Sequence, residues 1–118
     1  MKGMANPQAP RGNEWLPTVV NNLTAAGSTQ GTATAIPSGQ DESIFTTVGS
    51  GQGCSLPGAG IAIGEEYVVA NHGSNALAVY PATGGYMGTA AQNAAYSLAA
   101  GKTGYFTYVG QNHWTTNP

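Results

Sequence analysis

Between Tyr67 and Trp114 the chain alternates short apolar stretches with turn chemistry, and this pattern limits it to strands too short to be anything but β-structure. The same run contains no carboxylate, and Lys102 is its only Lys or Arg. His72 and His113 sit in separate turns rich in glycine and asparagine. A segment so poor in reactive groups reads as a building block and not as an enzyme.

Charge extends the argument to the whole chain. Of 118 residues 41% are hydrophobic and only 7% charged, against roughly a quarter charged in an average soluble protein. A freely diffusing monomer spreads both signs of charge over its surface. Much of this exterior is therefore expected to be covered by other subunits, the alternative being a surface of hydroxyls and amides. The formal net charge is −2, and past Asn21 one cation faces four acids. Phosphate binding needs several Lys or Arg, so no direct nucleic-acid partner is expected. No stretch reaches the ~20 apolar residues of a membrane span, and the N-terminus has no signal-peptide core. No membrane partner is expected, and synthesis is placed in the cytoplasm.

Residues 1–20 carry Pro7, Pro10 and Pro17, which block helix and interior strand. They are expected to form an extended N-terminal arm, with Trp15 and Leu16 as its apolar anchor. Residues 21–118 are expected to form the β domain. Strands are expected near residues 33–36, 43–48, 65–71, 75–81, 94–98 and 104–109, with a last short edge at 113–115. Residues 65–71 and 75–81 read as an antiparallel hairpin, with Val68, Ala70, Leu77 and Val79 on one core face. Val69 then faces a subunit contact. One helical turn is conceivable at 89–95. Short strands at this spacing indicate an all-β fold, a small antiparallel sandwich or barrel.

The chemical motifs are weak. Gly49 to Ser55 lacks the lysine of a phosphate loop, and Gly58 to Gly64 misses the dinucleotide spacing by one position. Asp41-Glu42 and Glu65-Glu66 are adjacent pairs, whose side chains diverge on a strand and suit solvated strand entrances. Cys54 is the only cysteine, which excludes an intrachain disulfide and a cysteine zinc cluster. No catalytic residue, cofactor or metal site is expected.

Val-Val-Ala-Asn-His-Gly-Ser-Asn-Ala-Leu-Ala-Val-Tyr-Pro over residues 68–81, then Gly84-Gly85, Asn93-Ala94-Ala95, Ser97 to Lys102, Phe106 and Trp114, form an ordered set. That set resembles a module of tailed-bacteriophage structural proteins and covers most of residues 21–118. The resemblance implies a virion protein of β fold, often small and trimeric, and not an enzyme. Standing nearly alone behind an arm, the module fits a homotrimeric capsid decoration, or cement, protein whose partner is the major capsid protein. A tail or fibre component, or a carbohydrate-binding module with exposed aromatic rings, is the alternative. On the decoration reading Arg11, Trp15, Leu16 and Val19 contact the capsid, and Val69, Tyr80, Lys102 and Trp114 lie between subunits.

Overall fold

The computed structural model describes residues 17–117, so Arg11, Trp15 and Leu16 lie outside the described residues. The chain is all-β. Its strands are β1 (Val19–Thr24), β2 (Thr34–Ala35), β3 (Glu42–Thr47), β4 (Gly53–Ser55), β5 (Glu66–Asn71) and β6 (Leu77–Tyr80). They are followed by β7 (Tyr86–Met87), β8 (Tyr96–Leu98), β9 (Thr103–Gly110) and β10 (His113–Asn117). A 3-10 turn at Gln30–Thr32 is the only helical element among the described residues. Residues 89–95, where a helical turn was conceivable, form turns instead. Among the described residues no helix is long and apolar enough to cross a membrane.

Two sheets share the core. One has six strands in the order β1-β3-β5-β9-β10-β7, the other four in the order β2-β4-β6-β8. Odd and even strands therefore alternate between sheets through the first six, and within each sheet they pair in parallel. The chain winds as a flattened coil, each turn laying one strand in each sheet. Only then does it become antiparallel: β8 lies against β6, β9 against β5, and β10 against β9.

This corrects the expected antiparallel sandwich or barrel. Residues 65–71 and 75–81 do not form a hairpin, because β5 and β6 belong to different sheets. Asn71 explains the corner between them. Its side-chain Oδ1 accepts from Gly73 N at 3.0 Å, while Nδ2 donates to Asn75 O and Leu98 O, both at 2.9 Å. The chain is bent away from its own strand before a two-residue hairpin can close. A true tight hairpin does occur between β9 and β10, where Gln111 and Asn112 have φ of 53° and 62°, the left-handed pair that suits strand twist. β10 is not an edge, since β7 pairs with it on the far side.

Stacked rungs build the core. Val20 lies beside Ser43 and Ser43 beside Val69; Leu23 lies beside Phe45 and Phe45 beside Asn71. Phe45, Tyr67, Val69, Phe106 and Trp114 are buried from one sheet, and Cys54, Leu77, Val79 and Leu98 from the other. Each such side chain contributes about 1.5–3 kcal/mol when removed from water. Trp114 anchors an aromatic cluster, meeting Tyr67 edge-on at 5.6 Å and Tyr108 at 5.1 Å. Adjacent turns of the coil approach so closely that a Cβ on Gly53 would overlap Ala78 O. Only glycine fits there.

Along β5, Val68 and Val69 take the reverse of the sequence expectation, while Ala70 is buried as expected. Val69 is fully buried and Val68 half-exposed. Val69 therefore cannot offer its side chain to another subunit. Trp114, also expected between subunits, is buried in its own chain. β1 begins at Val19, so Val19 and Val20 belong to the first strand and not to the end of an arm.

Candidate interaction surface

With Val69 and Tyr67 turned inward, alternate residues of β5 line the outer face of the six-stranded sheet. Register then carries one row across four strands: Val19 beside Glu42, Glu42 beside Val68, Val68 beside Tyr105. A second row places Ile44 beside Ala70, which is itself buried, and Ala70 beside Thr103; a third places Glu66 beside Thr107 and Thr107 beside Thr115. The large apolar side chains that remain exposed in the described chain are Val19 at 50%, Ile63 at 74%, Tyr105 at 42% and Val109 at 46%. Val19 and Tyr105 stand in the first row, and Val109 lies further along β9 from Tyr105. Ile63 packs at the end of β9, where a Cβ on Gly110 would lie 3.1 Å from its Cδ1. Val19, Tyr105 and Val109 thus share the outer face, and Ile63 stands beside the end of β9.

The opposite sheet presents a different surface. With Cys54, Leu77, Val79 and Leu98 inward, its outward positions include Ala35, Ser55 and Tyr80 in one register and Gly53, Ala78 and Ser97 in the next. Small side chains make this face smooth and leave little apolar relief. Tyr80, an expected subunit contact, is half-buried here and donates its hydroxyl to Ser28 O at 3.3 Å.

Charge is polarised along the six-stranded sheet. Asp41 and Glu42 open β3, and Glu65 and Glu66 open β5. Asp41 Oδ2 accepts from Thr18 N at 2.8 Å, and Glu65 Oε1 accepts from Ala62 N at 3.3 Å, so two of these carboxylates also tie down backbone at the strand entrances. Lys102 sits at the other end of the same strands: Asn71, the last residue of β5, donates its N–H to Lys102 O at 2.9 Å. Its side chain is exposed. Carboxylates and the ammonium are thereby separated by roughly the length of β5, about 16 Å.

The nucleophilic and titratable groups do not converge. Among the described residues no group of three or more His, Cys, Asp or Glu is placed to hold a metal ion. Cys54 is buried in the second sheet, and burial pushes its thiol well above the ordinary range. Tyr67 is raised chiefly by burial as well, against the Gly39 N–H that its hydroxyl accepts at 2.9 Å; Glu65 and Asp41 nearby push it further up. His72 is exposed at the corner after Asn71. His113 stacks on Tyr86 with ring centres 4.3 Å apart, and its Nδ1 donates to Gln111 O at 2.7 Å. Beside that pair an open cleft of about 470 Å³ is lined by Gly88, Thr89, Val109 and residues 113–116 of β10.

Val19, expected as a capsid contact, is exposed on β1. Ile63, Val68 and Val109 were not expected at the surface, nor were Val68 and Val109 expected to share one face with Val19. Alternation along β9 signals Tyr105, but the rows depend on parallel register between distant strands. Compared with known proteins, the chain matches no family model, no curated protein and no solved structure.

Proposed function

We propose that this chain is a non-catalytic structural subunit of a bacteriophage virion, a decoration protein that covers and strengthens the head shell. The observation that carries the assembly part of this reading is the exposure of Val19, Tyr105 and Val109 on the outer face of the six-stranded sheet, among Glu42, Glu66 and threonines, on a chain with only 7% charged residues. Such a surface gains from burial against protein at roughly 25 cal/mol per Å² of apolar area. The virion setting rests on the sequence resemblance over residues 68–114. In this reading the major capsid protein is the partner, with Arg11, Trp15 and Leu16 as its contacts. A tail or fibre position uses the same surface on a different scaffold. Cosedimentation with undecorated capsids tests the assignment. The full chain should pellet with them and Trp15→Ala should pellet several-fold less, an anchor tryptophan contributing about 2 kcal/mol. Absence of the full chain from the pellet contradicts the decoration reading.

The carbohydrate reading keeps one specific observation in its favour, the uncharged cleft beside the stacked Tyr86 and His113 rings. It loses Trp114 as a sugar platform, because that ring is buried. Binding to a glycan array that disappears in Tyr86→Ala would favour it over the structural reading.

A further inference from the structure

We infer that the outer face of the six-stranded sheet is a homotypic interface, on which a second copy of this chain packs face to face about a two-fold axis running across the strands. The inference deepens the assembly reading by naming the occupant. Two observations select a second copy, and a third sets how tightly it is held.

The first is that exposed large apolar side chains share one face. Val19, Tyr105 and Val109 lie on the outer face of this sheet, and the outward positions of the other sheet are mostly small or hydroxyl-bearing. A ring joins two different patches of neighbouring subunits, whereas a two-fold contact joins one patch to itself. A chain with one such patch suits the second geometry.

Charge supplies the orientation. The four acids of the domain stand where β3 and β5 begin, and Lys102 stands where β5 ends. A two-fold axis across the strands reverses strand direction between the copies. Each Lys102 is then carried toward the acidic end of its partner, twice per pair. An axis parallel to the strands instead sets like ends together, so the charge pattern selects between them.

Size is the third observation. β1, β3, β5, β9 and β10 hold five to eight residues each and β7 only two; five strands at ~4.8 Å spacing and about 17–20 Å in length give a projected face of roughly 450 Å². That lies below the ~600 Å² per partner of the smaller specific interfaces. A pair that forms and dissociates at micromolar concentration is the expected outcome, not a permanent dimer.

Sedimentation of the full chain over a concentration series tests this. The wild type should shift from monomer to dimer as concentration rises. Tyr105→Asp should remain monomeric with an unchanged circular dichroism spectrum, and Lys102→Glu should weaken the pair roughly tenfold, because it sets like charges together. Ser97→Asp, on the other sheet, should pair like the wild type. A trimer, a persistent monomer, or a dimer that Tyr105→Asp leaves intact overturns the inference. Cosedimentation with capsids separates this from the virion reading: a monomer that decorates capsids removes the pairing alone, and a dimer that ignores them removes the decoration role alone.

Discussion

Asn71 holds more of the structure than any other polar side chain. It is fully buried, at the end of β5, and its amide hydrogen-bonds three backbone groups, Gly73 N, Asn75 O and Leu98 O. Asn71→Leu should therefore destabilise the fold by about 3 kcal/mol, read as a lowered urea midpoint, since each buried backbone group left unpaired costs about 1–3 kcal/mol. Two residues earlier, β5 offers a paired test. Val69→Lys buries an ammonium in the core and should prevent folding, while Val68→Lys should fold with stability changed by no more than about 0.5 kcal/mol. Equal effects would contradict the assigned faces of β5. Cys54 gives a pH test. Its thiol is raised by burial in the folded chain, so the stability it contributes is full below the ordinary thiol value of about 8.5 and is lost as pH rises beyond it. Tyr67, raised in the same direction, adds to that loss at higher pH. Unfolding midpoints measured between pH 7 and pH 10 should fall, and Cys54→Ala should flatten the alkaline part of the curve.

At the level of elements, the parallel coil depends on close contact between successive turns, and Gly53 is where that contact is tightest. Gly53→Val should cost about 3 kcal/mol by driving its side chain into Ala78 O, whereas Gly31→Ala, which meets nothing within 4 Å, should be neutral within about 0.5 kcal/mol. Most of the strands were legible in the sequence, because apolar alternation and glycine punctuation mark where a strand starts and stops. Their partners were not. A period of two is the same in parallel and antiparallel strands, and Ser43 pairs with Val69 a full turn of the coil later, where no local signal reaches. The corner at residues 72–76 looked like a hairpin turn because its composition is that of one. What distinguishes it is the inward-turned amide of Asn71, whose burial only the assembled fold reveals. Tyr105 turns outward because Phe106 enters the core of an unbroken strand.

On the scale of the whole molecule, a charge-poor chain exposes Val19, Tyr105 and Val109 on the outer face of one sheet and mostly small or hydroxyl-bearing residues on the other. That division gives the account its central claim, that the outer face of the six-stranded sheet is where this protein meets other protein. Hydroxyl-radical footprinting compares every side chain in one measurement, first on dilute monomer and then on the assembled protein. Tyr105 and Val109 should lose reactivity on assembly while Tyr80 on the opposite sheet should not change. Protection of Tyr80 with Tyr105 and Val109 still fully reactive would contradict that claim.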